Sequence, residues 1–154
     1  MNRRPEWEEY LMLMAFSASL RSEDPHRKVG CVCADKDHQV LATGYNGLLP
    51  GKLVEESYWN SDLRLKTVFH AEQNGLLRTD PKAVHTLIVT TMSCLECLKL
   101  AACHGVKEIV YCVDYPRSPE SIQLARDFYN IQVRQIQFAR VKELMTESLN
   151  FTNI

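Results

Sequence analysis

Two apolar, β-branched segments constrain the fold of this 154-residue chain more than any other feature of its sequence. They are residues 86–91 and 108–113, and each has the length and composition of a buried β-strand. The residues between them include a helical stretch that ends near His104. Strands connected through a helix pair in parallel, so the sequence predicts a parallel core of strands covered by helices.

The remaining segments complete one sheet. Residues 29–34 and 39–45 flank a turn and predict an antiparallel hairpin, and 131–136 alternate apolar and polar as a half-exposed strand does. The other helices are predicted over 6–20, 68–78, 118–129 and 138–149, and Ser93 and Ser118 are predicted as N-caps. We expect an α/β fold, a three-layer α/β/α sandwich with a five-stranded mixed sheet, in a single domain over 1–154.

Two segments carry more detailed predictions. In the first helix, five side chains recur at helical spacing and predict the stripe that faces the core: Trp7, Tyr10, Leu11, Met14 and Ala18. Residues 48–66 have no clean period and contain Pro50 and Gly51, which predicts a long irregular loop. Such loops are uncommon in compact domains and often serve a function.

The composition limits the classes of molecule that the protein is expected to bind. The net charge is −1, so no basic field is available to hold a nucleic-acid backbone, and a small substrate is favoured. No apolar run has the length of a membrane span, and the acidic residues of the first ten leave no room for a signal peptide. We therefore expect a cytoplasmic protein with no membrane partner and with reduced cysteines.

Four of the six cysteines are predicted as small core residues: Cys31, Cys33, Cys103 and Cys112. The alternative is a second, structural metal site that they would form with a histidine. The candidate histidines are His26, His38, His85 and His104.

The segment His70-Ala71-Glu72 and the pair Cys94 and Cys97 offer the ligands of a zinc site. One imidazole and two thiolates leave a fourth tetrahedral position for water. Two cysteines three residues apart in the first turn of a helix share a face, and the free amides there lower the pKa of a thiol. Glu72, two residues from the histidine, is placed to move protons to and from that water.

Two other uses of these residues remain open. A closed structural site needs a fourth ligand, and the nearest candidates are Cys103 and His104, more than two helical turns from the cysteine pair. Redox chemistry of a C-x-x-C pair leaves His70 and Glu72 without a role. We therefore favour a catalytic zinc site.

His-x-Glu followed by C-x-x-C resembles the signature of the zinc-dependent cytidine deaminase superfamily, with Ser93 where that family has proline. Within it, residues 9–133 resemble the deoxycytidylate deaminases. Further matches are residues 21–25, Gly44-Tyr45-Asn46-Gly47 with Gly51, and Asn74 two positions past the glutamate. The resemblance implies hydrolysis of dCMP to dUMP and ammonia, with Glu72 returning protons to the pyrimidine N3 and to the leaving amine.

The resemblance also implies substrate contacts. Asn46 is expected at the deoxyribose hydroxyl, the backbone at Ala71 and Ser93 at the pyrimidine edge, and Tyr115 against the base. The phosphate is expected near residues 21–28, where the candidates are Ser22, Arg27 and Lys28. From the residues alone, Asn46 is equally a turn residue, Tyr115 a packed loop aromatic and the charges a solvated loop.

Many members of this family are hexamers activated by dCTP and inhibited by dTTP. The effector site in that family uses the glycine-rich motif, which corresponds here to Gly44, Tyr45, Asn46 and Gly47. The resemblance therefore implies a homo-oligomer, triphosphate effectors and Mg²⁺ accompanying the triphosphate.

Two competing functions remain. A deaminase with the same chemistry could act on another cytosine or adenine substrate, either a free nucleoside or a base in nucleic acid. A protein that is not an enzyme could use zinc to stabilise a binding module, with Glu72 as a helix-capping acid.

Overall fold

Strand β3 (Thr86–Thr91) lies in the middle of a five-stranded sheet in the computed structural model, which describes residues 3–149. The other strands are β1 (Gly30–Ala34), β2 (Val40–Tyr45), β4 (Glu108–Val113) and β5 (Gln132–Gln135). The helices are α1 (Trp7–Ser19), α2 (Asp62–Thr67), α3 (Ala71–Leu76), α4 (Leu95–Cys103), α5 (Ser118–Asp127) and α6 (Phe138–Ser148).

The sheet has the order β2-β1-β3-β4-β5. β1 pairs antiparallel with both β2 and β3, whereas β3, β4 and β5 are parallel. The mixed five-stranded sheet, its hairpin and its parallel half are therefore confirmed. Because β1 and β3 run in opposite directions, the start of β1 lies beside the end of β3, which brings residues from both to one edge.

Each face of the sheet carries its own apolar core. Leu87 and Ile109 point to one face and pack with residues of α3, α4 and α5. Ile88 and Val110 point to the other and pack with residues of α1 and α6. Neighbouring strand residues face opposite ways, so these fully buried runs serve both cores, and the predicted three layers are confirmed.

The first helix buries a stripe that shares only Leu11 with the predicted one. Leu11, Met12 and Ala15 are fully buried against the sheet, whereas Trp7 and Tyr10 are about half exposed. The Trp7 ring stacks instead on His38, with 5.2 Å between ring centroids. The prediction was right for Leu11 and wrong for Trp7 and Tyr10, because the apolar residues of the helix form two neighbouring stripes and packing on the sheet selects one of them.

Residues 48–66 contain more regular structure than the long irregular loop that the sequence predicted. A short 3₁₀ helix covers Glu56–Asn60, and α2 begins at Asp62. Both predicted caps were also displaced by one residue: Cys94 caps α4 and Arg117 caps α5. The Ser118 hydroxyl accepts the backbone N–H of Tyr115 instead.

The cysteine prediction holds for three of the four residues. Cys31, Cys33 and Cys112 are buried, but Cys103 at the end of α4 is exposed. Within residues 3–149, the cluster of histidine, cysteine and acidic side chains close enough to share a metal ion is His70, Cys94 and Cys97. Over the same residues, none of the helices has the length and apolar character that crossing a bilayer requires.

Candidate metal centre and active site

His70 immediately precedes α3 and is its N-cap, with extended backbone angles of φ −77° and ψ 155°. The Gln73 side chain accepts the His70 backbone N–H at 2.8 Å, which fixes the entry into the helix. The predicted helix 68–78 therefore began too early and ended too late. As a cap, His70 projects from the helix start, and the next two residues occupy the first helical turn.

The two cysteines begin α4 directly after the end of β3. Cys94 is the N-cap, with its sulfur 3.5 Å from His70 Nδ1, and the Cys97 sulfur is 3.3 Å from the same nitrogen. All three ligand atoms lie within 4.8 Å of one another. A tetrahedral ion with bonds of the usual zinc lengths would separate its nitrogen and sulfur ligands by about 3.6 Å. The observed distances therefore fit zinc, and Nδ1 is the nitrogen that would bind it.

The charges of the thiols also suit a metal. A hydrogen bond from Cys97 and the nearby His70 lower the pKa of Cys94 to about 3, so this thiol is ionised at neutral pH. The same interaction with Cys94, together with burial, raises the pKa of Cys97. Without metal the pair shares one negative charge, and a divalent ion stabilises the second thiolate by its own charge.

Glu72 lies in the first turn of α3 and is almost fully buried, with 4% of its surface exposed. Burial is the largest influence on its carboxyl group and raises the pKa above the usual glutamate value. A raised pKa makes a carboxyl group hold a proton more readily, which suits a group that must accept a proton and pass it on. Glu72 is not among the metal-ligand cluster, which agrees with a proton carrier beside the metal.

A cavity of about 220 Å³ opens beside this cluster. His70, Ala71, Glu72 and Cys94 contribute to its wall, whereas Cys97 is buried behind it. The other lining residues are Asp24, Arg27, Val29, Asn46, Arg64, Leu65, Val68, Thr91, Met92 and Tyr115. The cavity therefore places a metal site, a buried acid and two guanidinium groups around one space.

Asn46 is held by the backbone of the preceding loop. Its Oδ1 accepts the N–H of Val29 at 2.8 Å, and its Nδ2 donates to the carbonyl oxygen of Arg27 at 2.8 Å. The side chain is thus buried, oriented and at the cavity wall. A fixed amide of this kind can serve both as a structural link and as a ligand, because each of its polar atoms can form a second hydrogen bond.

Tyr115 follows β4 as Ser93 follows β3, and the two residues meet. The Tyr115 hydroxyl lies 2.8 Å from Ser121 Oγ and 3.3 Å from the carbonyl oxygen of Ser93. Ser93 is fully buried, and its hydroxyl group lies against the Glu72 carboxyl group, where it opposes the rise in pKa that burial causes. Ser93 does not line the cavity, so a contact between this residue and a bound ligand stays a prediction.

The three candidates for phosphate contact separate in the structure. Arg27 lines the cavity, but Ser22 and Lys28 do not. The Ser22 hydroxyl accepts the backbone N–H of Asp24 at 3.2 Å, and the Lys28 ammonium group donates to the carbonyl oxygen of Ser22. Both side chains therefore brace the loop 22–28, and a phosphate contact by either stays a prediction.

The glycine-rich motif closes β2 against α3. A Cβ atom on Gly44 would lie 2.3 Å from the carbonyl oxygen of Ala71 and 2.6 Å from the nitrogen of Gly75. The Tyr45 carbonyl accepts the Asn74 side chain at 2.7 Å, and Gly47 pairs with Phe69 in a short β-bridge. These contacts give the motif a structural role beside the active site, and its effector role stays a prediction.

Sequence reasoning missed Asp24 and Arg64 as cavity residues. Asp24 lies in the loop where only Ser22, Arg27 and Lys28 were considered as substrate contacts. Arg64 lies in the segment 48–66, which shows no helical period. No short-range pattern identifies either residue, because their proximity depends on how residues 22–28 and α2 pack together.

A sequence model of the cytidine and deoxycytidylate deaminase zinc-binding region matches residues 5–113. The chain belongs to this deaminase family. The protein from Homo sapiens named deoxycytidylate deaminase is 30% identical over an alignment of 135 residues, and the match covers 82% of this chain and 75% of the human protein. Deoxycytidylate deaminase of Mycobacterium phage D29 is 35% identical over an alignment of 123 residues, and that match covers 70% of this chain and 95% of the phage protein.

A solved structure extends the match to the fold. The crystal structure of dCMP deaminase from cyanophage S-TIM5 in complex with dCMP and dUMP has a TM-score of 0.74 and 27% sequence identity. The match covers 88% of this chain and all of that chain. The resemblance stated from the sequence and the predicted fold class are both confirmed, and the chain is an enzyme of the deaminase class.

Proposed function

We propose that this deaminase hydrolyses dCMP to dUMP and ammonia and that His70, Cys94 and Cys97 hold its zinc ion. The observation that carries the proposal is that the buried carboxyl group of Glu72 lines the same cavity as this His-Cys-Cys cluster. The choice of dCMP is supported by the relatives named deoxycytidylate deaminase and by the phage enzyme crystallised with dCMP and dUMP.

Zinc, when bound, supplies a Lewis acid that makes water nucleophilic near neutral pH. A Glu72 carboxylate oxygen accepts one proton from the attacking water and delivers it to the pyrimidine N3, then takes the proton of the new C4 hydroxyl group and delivers it to the departing amine. Water adds at C4 and ammonia leaves, so the net change is one amine replaced by one carbonyl. Burial serves Glu72 in this role because its raised pKa favours holding a proton between the two transfers.

Other residues orient the substrate in this proposal. The fixed Asn46 amide receives the deoxyribose hydroxyl, the backbone at Ala71 and Ser93 reads the pyrimidine edge, and Tyr115 forms a wall against the base. Support comes from their positions: Asn46, Ala71 and Tyr115 line the cavity, and the Tyr115 hydroxyl contacts the Ser93 carbonyl. Arg27, also in the wall, is assigned to the phosphate.

Zinc content and ammonia release test the proposal together. The purified protein is expected to contain about one zinc per chain and to release ammonia from dCMP faster than from deoxycytidine, cytidine or a cytosine in single-stranded DNA. Faster release from the nucleoside or the oligonucleotide would assign the same chemistry to the competing substrate. Zinc without ammonia release from any of these compounds would favour the non-enzymatic binding module.

We also propose that dCTP activates and dTTP inhibits the enzyme, with Mg²⁺ accompanying the triphosphate, in a homohexamer whose effector site includes Gly44, Tyr45, Asn46 and Gly47. The family resemblance supports this regulation. We further propose that residues 1–154 form a single catalytic domain. Rate curves against dCMP, measured with each triphosphate, test it. Hyperbolic curves unchanged by both triphosphates would remove the proposal. The cytoplasmic location stays a prediction.

A further inference from the structure

We propose that Arg64, held in place by the buried Asp24, forms with Arg27 the binding site for the 5′-phosphate and thereby selects a nucleotide over a nucleoside. This inference rests on the proposed deamination. The phosphate is then bound both by Arg27 of the loop 22–28 and by Arg64 of α2, rather than by the loop alone. The three side chains all belong to the wall of the active-site cavity.

Asp24 is a buried carboxylate that accepts three hydrogen bonds. Only 2% of its surface is exposed. One oxygen, Oδ1, accepts the backbone N–H groups of His26 at 2.8 Å and of Arg27 at 3.2 Å. The other, Oδ2, accepts a hydrogen bond from Arg64 Nε at 3.0 Å and lies 2.9 Å from Arg64 Nη2 in an ion pair. One side chain therefore sets both the path of the loop at Arg27 and the orientation of the Arg64 guanidinium group.

The guanidinium group of Arg64 keeps donors for a second anion. Of its five N–H donors, the ion pair uses one on Nε and one on Nη2, which leaves three outside the pair. A planar fork with its orientation fixed on one side binds phosphate oxygens with little further loss of side-chain freedom. The Arg64 side chain is 20% exposed and lines the cavity.

The local charge also favours a phosphate. Asp24 balances one of the two arginines, so the three side chains together carry a formal charge of +1. A phosphate monoester carries about −1.5 to −2 at neutral pH. A phosphate supplies a counter-charge to the second guanidinium group, which a nucleoside lacks. The site is therefore complementary to a nucleotide.

The competing interpretation is an ion pair that merely fastens α2 to the loop. The chain supplies a matched control in the pair of Glu9 and Arg140, which joins α1 to α6 on the other face of the sheet. Arg140 Nε lies 3.0 Å from Glu9 Oε1, and the two side chains are 23% and 9% exposed, close to the values for Arg64 and Asp24. Neither residue of the control pair lines the cavity.

The experiment compares Arg64→Gln with Arg140→Gln in the zinc-loaded protein, measuring kcat and KM for dCMP and for deoxycytidine. We expect Arg64→Gln to lower kcat/KM for dCMP by about ten- to hundredfold, mainly through KM, because a charge-assisted hydrogen bond to the phosphate is lost. Turnover of deoxycytidine is expected to change by less than about twofold. Arg140→Gln is expected to leave the ratio between the two substrates unchanged.

Asp24→Asn tests the positioning role. It retains an oxygen for the loop N–H groups but turns an amide N–H₂ towards Arg64, so we expect KM for dCMP to rise while kcat stays within about twofold. Equal losses for dCMP and deoxycytidine in both cavity variants would show a merely structural pair and overturn the inference.

Product binding separates this inference from the proposed reaction. Calorimetry with dUMP and deoxyuridine needs no turnover, and the native protein is expected to bind dUMP more tightly, by a margin that Arg64→Gln removes. Equal affinity for the two products would overturn the phosphate site even in an active deaminase. Tighter dUMP binding by a protein that releases no ammonia would support the site and reject the reaction.

Discussion

The Nδ1 atom of His70 lies 3.3 Å from the sulfur of Cys97, across 27 positions of sequence. The contact exists because α3 and α4 begin next to each other: His70 caps one helix, and Cys97 lies in the first turn of the other. α4 begins just beyond the carboxyl end of β3, where the start of the antiparallel β1 also lies. Ligand sites of open α/β sheets occur at this kind of crevice. The four predictions below test the chemistry of this site and the stability of the fold.

Replacement of Glu72 by glutamine is expected to abolish deamination while keeping the metal. The two side chains have the same shape, but the amide cannot carry a proton between water and substrate, so kcat should fall by about 10²–10⁴-fold. Ammonia release and zinc content of the same sample provide the measurement. Near-native activity with bound zinc would reduce Glu72 to a structural acid of the first helical turn.

Loss of a cysteine ligand is expected to remove metal and stability together. Cys94→Ala should lose zinc and unfold at a lower temperature, because zinc binding to its protein ligands stabilises the folded state. The matched control is Cys103→Ala, since that cysteine is exposed at the end of α4. Elemental analysis and thermal unfolding, each with and without a chelator, provide the readout. If the chelator lowers the unfolding temperature of Cys94→Ala as much as that of the native protein, Cys94 is not a ligand.

Gly44→Ala is expected to destabilise the fold through a backbone collision. The added methyl group would meet the Ala71 carbonyl oxygen at 2.3 Å, so β2 and α3 must separate, at a cost of about 1–3 kcal/mol in the free energy of unfolding. Gly47→Ala is the control, because its nearest neighbour is a ring carbon of Tyr45 at 3.8 Å. Urea unfolding measures both. Equal stability of the two variants would contradict the structural role assigned to Gly44.

Stability at acidic pH is expected to depend on Glu9. A hydrogen bond from Arg140 lowers the pKa of Glu9 below the usual value for a glutamate side chain. A lowered pKa in the folded state means that this carboxylate stabilises the fold above about pH 4.5 and that the contribution disappears as pH falls through the folded-state value. The stability difference between the native protein and Arg140→Gln should therefore be constant from pH 5 to 7 and shrink below 4.5. Urea titrations at each pH measure it; a difference that grows on acidification would contradict the sign.

The sequence predicted the strands more closely than the helix ends. Residues 86–91 and 108–113 were predicted with the bounds that the structure has, because a fully buried strand shows its whole length as an apolar run. The bounds of α3 were wrong at both ends, since His70 caps the helix rather than lying within it. A cap is defined by backbone angles and by the hydrogen bond it receives, and the composition of the segment does not report either.

The residues of the candidate site also fall into those that the sequence identified and those that it did not. His70, Glu72, Cys94 and Cys97 were identifiable because metal chemistry restricts residue types and spacing within short segments. Arg64 was not, because its role depends on a 2.9 Å contact with Asp24, forty positions earlier. Such a pair has no local pattern, and a charged residue in an irregular segment is ordinarily solvated.

The sequence by itself determined the α/β class, the parallel core, the family and the identity of the proposed metal ligands, because these depend on periodicity and on residue chemistry at short range. The tertiary structure decided which stripe of α1 is buried, which histidine nitrogen faces the sulfurs and which charged side chains enter the cavity wall. Those features arise where segments distant in sequence pack together, and close packing selects one arrangement among several that the local sequence allows equally.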